Sequence, residues 1–177
     1  MRLRLAAATA AVTLAFTAGC GTGTRTVTPP DPAAAASTPA APTAPAAAKP
    51  VDAKTVLAKL RAADLGMTGA AHQTEDDDPN DLLGRPNGYT ERASADLPGG
   101  DKDGEKYTVD RGLVIEVWPT AADADRRAAY IQTALKGAPI LGTEYHYRAG
   151  GGAVLVRVTG KVKPSAAKKV ETALAGL

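Results

Sequence analysis

Seven of the chain's thirteen prolines fall between residues 29 and 50, interleaved with threonine and ten alanines, and this stretch decides where a fold can form. Proline pre-sets extended backbone, and Ala, Thr and Pro together cannot bury a core. Residues 20–50 therefore read as a semi-rigid tether, and any globular fold must be built from residues 51–177. At ~3.1 Å per residue in polyproline II, such a tether spans at most roughly 90 Å. Its Thr-Pro clusters also suit O-glycosylation, a bare spacer being the simpler reading.

Ahead of the tether, Arg2 and Arg4 precede the apolar run Leu5 to Phe16 and then Thr17-Ala18-Gly19-Cys20. These are the charged, apolar and small-residue regions of an export signal. The apolar run, about 12 residues, is shorter than the roughly 20 that a membrane-spanning helix needs. Residues 1–20 resemble bacterial lipoprotein precursors, whose lipobox ends Ala/Gly-Cys, although Thr17 stands where that motif usually has Leu. The resemblance implies removal of residues 1–19, acylation of Cys20 (palmitate among the acyl groups) and a lipid anchor on the extracytoplasmic face of the cell membrane. The alternative, a buried apolar cysteine, has no core-forming sequence around Cys20 to support it.

Charge and cysteine usage narrow the function classes. The chain has 21 Lys+Arg against 19 Asp+Glu, and loss of Arg2 and Arg4 with the signal leaves 19 against 19. A balanced chain offers no electrostatic footprint for nucleic acid. One cysteine excludes an internal disulfide, and two histidines leave little for a zinc site, so neither structural metal nor cofactor is expected.

From Val51 onward the apolar periodicity is informative. Asp52 is a cap for a helix over 53–64, with Val56, Leu57, Leu60 and Ala63 on one face. Residues 66–88, rich in Gly, Asp, Asn and Pro, predict an ordered loop around Leu82 and Leu83. A weakly alternating strand follows over Tyr89 to Asp96, then a Gly- and charge-rich segment through Lys106 that predicts disorder. Gly112 to Trp118 is a β-rich run with Leu113, Ile115 and Val117 facing one way and Val114, Glu116 and Trp118 the other. Thr120 then caps a helix reaching Lys136, with Asp123 in a variant capping box and Ala124, Ala128, Ile131 and Leu135 on one stripe. Leu141 to Arg148 and Ala153 to Thr159 alternate around Gly150-Gly151-Gly152 as a hairpin. Pro164 opens a final amphipathic helix carrying Val170, Ala173, Leu174 and Leu177. The order α-β-β-α-β-β-α predicts an α+β domain, a four-stranded antiparallel sheet with its helices packed on one face. The opposite face then presents Glu116, Trp118, Glu144, His146, Leu155 and Arg157.

The run Asp78-Pro79-Asn80-Asp81-Leu82-Leu83-Gly84-Arg85-Pro86, with Tyr89-Thr90 after it, resembles a stretch of uncharacterised actinobacterial lipoproteins. The likeness continues through Gly112 to Val117, the helix with Arg127 and Tyr130-Ile131-Gln132, Leu141 to Tyr147 and Val154 to Gly160, departing at Lys163, where a Thr cap is usual. That family carries no established activity, so the resemblance implies location and an intact domain. Gly66-Met67-Thr68 with Leu82-Leu83-Gly84-Arg85-Pro86 is also similar to small envelope lipoproteins, with Glu75 to Pro79 intervening here.

No catalytic motif stands out. Ser94 and Ser165 are the domain's serines, and neither sits in a Gly-x-Ser-x-Gly turn or beside His72 or His146 in sequence. Glu75 to Asp78 with Asn80 and Asp81 offers oxygen ligands for calcium, yet an EF-hand begun at Asp76 has Asp81 at its sixth position and Asn87 at its twelfth. A solvated acidic loop or an irregular calcium site remain as its readings. Glu116 and Glu144 share a predicted face and could serve a glycosidase as paired carboxylates, or simply pair with Arg157 and Arg148 across strands. The expectation is thus a non-enzymatic, lipid-anchored binding module for an envelope protein or small ligand, the alternative being an envelope enzyme acting on cell-wall carbohydrate. Its binding surface is expected on the open sheet face around Trp118, with Glu116, Glu144, His146 and Arg157, unless residues 66–86 cover that face.

Overall fold

The computed structural model describes residues 50–177; the signal run, Cys20 and the tether up to Lys49 lie outside the described residues. The elements run α1 (Ala53–Ala62), β1 (Thr68–His72), β2 (Glu91–Asp96), β3 (Gly112–Val117), α2 (Ala121–Gly137), β4 (Glu144–Ala149), β5 (Val154–Thr159) and α3 (Pro164–Leu174). The sheet is antiparallel throughout, in the order β1-β2-β3-β5-β4. The domain is α+β, as its sequence pattern predicts.

Strand alternation builds the principal core. Leu113, Ile115 and Val117 of β3 stand opposite Val158, Val156 and Val154 of β5, so apolar side chains meet apolar ones on one face. Over that face lie Ala53, Val56, Leu57 and Leu60 of α1 and Ala167, Val170 and Leu174 of α3. The start of α1 is fixed twice. Asp52 Oδ1 accepts from the Thr55 amide at 2.6 Å, and Glu91 Oε2 from the Ala53 amide at 2.8 Å. Both carboxylates sit where the helix's free amides favour negative charge.

Three features depart from the sequence expectation. The first is a fifth strand: β1 pairs with β2 at Thr68↔Asp96, Ala71↔Ser94 and His72↔Ala93, with a register shift between Thr68 and Ala71. Thr-Gly-Ala-Ala-His carries no apolar alternation, and Gly69 takes a left-handed φ of 55° within the irregularity, so only the pairing partner defines this edge strand. The second concerns the helices. They do not share one face: α1 and α3 cover the Leu113/Ile115 side, while α2 lies across the other, where Ala124 and Ala128 pack with Leu155, Trp118 and Tyr89. The α2 stripe is apolar enough to need burial, but its small residues fit the opposite face, where Leu155 and Trp118 would otherwise meet water.

The third is the segment before β3, which is held rather than disordered. Arg111 clasps Asp96 through Nε at 2.9 Å and Nη2 at 2.6 Å, and donates from Nη1 to the Lys102 and Gly104 carbonyls. The Asp101 amide donates to the Asp110 carbonyl at 2.8 Å, and Lys161 Nζ lies 3.0 Å from Asp101 Oδ2. These long-range partners are invisible in a local window of Gly, Asp and Lys. A smaller correction falls at β4, which starts at Glu144: Pro139–Leu141 form a 3-10 turn that leaves Ile140 94% and Leu141 61% exposed.

Candidate functional site

Beneath α2 the sheet is charged. Alternation puts Arg92 of β2 opposite Glu116 of β3, and His146 of β4 opposite Arg157 of β5, all on the face that α2 covers. Arg157 joins two strands. Its Nη1 donates to Glu116 Oε1 at 2.9 Å, while Nε and Nη2 grip Glu144 Oε2 and Oε1 at 2.9 and 2.8 Å. That two-bonded clasp is the strong geometry of a guanidinium with a carboxylate. His146 Nε2 lies 2.9 Å from Glu144 Oε2.

The lattice continues toward β2. Arg92 donates to Gln73 Oε1 at 3.0 Å and to the Tyr107 carbonyl at 2.5 Å, with its Nε 3.4 Å from Asp78 Oδ1. Asp78 is turned inward from the acidic loop. It accepts from the Tyr89 hydroxyl at 2.5 Å and from the amides of Leu82, Leu83 and Asn80 at 2.8, 3.0 and 3.1 Å. From α2, Arg127 brings Nε to 3.4 Å from Glu116 Oε2. Arg92, Arg127 and Arg157 thus balance Asp78, Glu116 and Glu144. Such balance is required, because a buried charge left without a partner costs several kcal/mol.

Proton affinities follow from these contacts. Burial works to raise the Glu144 carboxyl, but the hydrogen bonds of Arg157 and His146 outweigh it and hold the group at about 2. For Arg157, burial works against the charge, and the two carboxylates overcome it and push its pKa up. Burial lowers that of Arg92 despite Asp78 and Glu116. Asp78 lies below its ordinary value, since the hydrogen bonds of Tyr89 and the loop amides outweigh its burial. Tyr89 is pushed up by burial and by the carboxylate it donates to.

These positions revise the expected surface. Glu116 is fully buried, Trp118 only 6% exposed and Arg157 8%. Trp118 lies edge-on to Tyr89, with ring centroids 5.5 Å apart, under Ala124 of α2 and beside Leu82 and Leu83. The face around Trp118 is therefore not open, because α2 and the Leu82-Leu83 segment exclude water from it. Sequence reasoning did bring Glu116, Glu144, His146 and Arg157 together, and the structure joins these four in one network, as an internal lattice rather than a docking face. A single guanidinium bridges Glu116 and Glu144, and Glu144, ionised far below neutrality, cannot act as a general acid at pH 7. Asp78, one of the acidic loop's candidate oxygen ligands, is committed inward. Among the described residues, no three His, Cys, Asp or Glu side chains gather as a metal centre.

What lies open is the margin of α2. One cleft of about 390 Å³ has Glu144, Arg157 and Thr159 as its floor, Ile131 and Leu135 as a wall, and Asn80 and Asp110 at its rim. A second, of about 330 Å³, runs beside Trp118, Asn87 and Arg126. Arg127 and Tyr130 line both. Motif reasoning passed over Arg127, yet a signal was present: it interrupts the apolar stripe of Ala124, Ala128 and Ile131 on the buried side of α2. Asp78 and Arg92, hidden in an acidic run and a weak strand, gave no such signal. Compared with known proteins, the chain matches no family profile, no curated protein and no solved structure.

Proposed function

We propose that the protein is a lipid-anchored lipoprotein on the extracytoplasmic face of the cell membrane, of the uncharacterised actinobacterial kind it resembles, working as a non-enzymatic binding module. The observation that carries the binding reading is the neutralised lattice beneath α2. It supplies fixed charges and shaped clefts, while its exposed-side carboxylate, Glu144, is held ionised by Arg157 and does not shuttle protons near neutrality. Binding sites need concavity and a few oriented polar groups, and the margin of α2 has both. The working surface in this reading is that margin, not the covered face around Trp118. The balanced charge of residues 20–177 supports a partner other than nucleic acid.

The export signal and the position of Cys20 ahead of the tether support the anchor. Cys20→Ser is expected to abolish labelled-palmitate incorporation and release the protein from the membrane fraction. Unchanged labelling and fractionation would exclude anchoring. For binding, in-cell crosslinking of the anchored protein is expected to recover an envelope protein or small ligand that is lost when Tyr130→Asp places a charge between the two clefts. Recovery that is indifferent to Tyr130→Asp would move the binding surface elsewhere.

A further inference from the structure

We infer that the larger cleft along α2 takes a small amphipathic carboxylate, its head on the Arg127 guanidinium and its apolar part along Ile131, Leu135 and Leu141. This rests on the binding reading above and names the class of ligand. The starting observation is an imbalance among the arginines. Arg92, Arg111, Arg148 and Arg157 each commit the guanidinium to hydrogen bonds with side chains or carbonyls. Arg127 makes none with any described residue, though its side chain is only 14% exposed; its nearest approach is the 3.4 Å from Nε to Glu116 Oε2. Both atoms of that approach are buried and without a hydrogen-bond partner among the described residues. A guanidinium so placed, at the junction of the two clefts, keeps its two terminal nitrogens accessible and without a hydrogen-bond partner among the described residues.

The fork matches a planar carboxylate, which it can hold by two parallel hydrogen bonds. One negative charge fits the surroundings better than two. Glu144 and Asp110 line the same cleft as Arg127 and Arg157, and Arg127 already lies 3.4 Å from Glu116, so the lining carries no surplus of positive charge to hold a phosphate dianion. The rest of the cleft is aliphatic on its α2 side, where Ile131, Ala134 and Leu135 face Leu141. Two residues of its lining, Tyr130 and Leu141, are large, apolar and exposed. The exposed large hydrophobic residues of the described chain are Tyr130 at 69%, Ile140 at 94% and Leu141 at 61%, all on α2 or the turn that follows it. Apolar surface gathered at the rim of a cleft with one charged anchor is the pattern of a ligand with a head and a tail.

The chain's single tryptophan gives the readout, since Trp118 shares the smaller cleft with Arg127 and Tyr130. The full chain, anchored in liposomes, would be titrated with sodium octanoate, octanamide and butyrate, following Trp118 fluorescence and heat against protein-free liposomes. The expected result is saturable octanoate binding, about tenfold or more weaker for octanamide, which lacks the charge, and for butyrate, which lacks the tail. Arg127→Met is expected to weaken octanoate binding by a similar factor. Leu141→Glu, at an exposed position that leaves the fold intact, should do the same by adding a carboxylate at the mouth. Equal binding of octanoate and octanamide, or wild-type affinity in both variants, would overturn the carboxylate assignment while leaving the cleft a binding site. No response to any probe, with a protein recovered by crosslinking and lost on Tyr130→Asp, would overturn the small ligand and leave the binding module standing. No response and no partner would overturn both.

Discussion

Replacing Arg157 by methionine tests whether the buried lattice is energetically what its geometry implies. The substitution keeps an unbranched side chain of similar reach but removes the one cation that Glu116 and Glu144 share. Removing one partner of a buried pair leaves an uncompensated charge and costs about 3–5 kcal/mol, a large fraction of the ~5–15 kcal/mol by which domains are stable. The Glu144 carboxyl falls from an ordinary 4.5 to about 2 on folding, an interval equivalent to about 3 kcal/mol. A carboxyl depressed by folding stabilises the fold above its unfolded value and loses that contribution as pH falls. In the wild type the loss should therefore run from about 4.5 down to about 2. In Arg157→Met the Glu144 carboxyl loses the guanidinium that outweighs its burial, and desolvation then raises it, so the sign reverses. The folded state then binds protons more readily than the unfolded one, and the variant should gain stability between pH 7 and pH 4. Urea unfolding followed by Trp118 fluorescence at pH 3, 4, 5 and 7 measures both slopes. Parallel pH profiles for wild type and variant, or a loss below about 1 kcal/mol at pH 7, would refute the reasoning. Combining Arg157→Met with Glu144→Gln should recover part of the loss, because Glu144 is then no longer charged and Glu116 keeps Arg127 at 3.4 Å.

Three further outcomes follow from single contacts. Tyr89→Phe removes the hydroxyl that donates to Asp78 and should cost about 1–3 kcal/mol in urea unfolding, with faster hydrogen exchange at the Leu82 and Leu83 amides. Unchanged exchange would show that the loop amides alone hold Asp78. Thr120→Ala removes the side chain that accepts from the Asp123 amide at 3.1 Å and should cost about 1 kcal/mol, with fraying confined to the first turn of α2. Gly112→Ala would push a methyl group into the Leu97 amide and the Ala95 carbonyl of the neighbouring strand; a loss of about 1–3 kcal/mol is expected, and a neutral effect would mean that β2 and β3 can separate locally.

Much of this was legible in the chain alone. Asp52, Thr120 and Pro164 announce the starts of α1, α2 and α3, and the Val/Leu/Ile alternation of Leu113 to Val117 and Val154 to Val158 sets which residues face the principal core. Such signals are local, because capping depends on atoms three residues apart and strand alternation has a period of two. The same alternation grouped Glu116, Glu144, His146 and Arg157 on one face before any pairing was known. What the chain could not state locally is what covers that face. The α2 stripe of Ala124, Ala128 and Ile131 fits either side of a sheet, and only the pairing of β3 with β5 around α2 and β4 places it over Leu155 and Trp118. Strand β1 exists because β2 offers it an edge, and the segment before β3 is held by Arg111 and Lys161 from outside its own window. Tertiary packing likewise turned Asp78 inward and left Arg127 without a hydrogen bond to any described residue, since partners dozens of residues apart meet only when the layers close. The residue types were given by the sequence; which of them are satisfied, buried or available was decided by the fold.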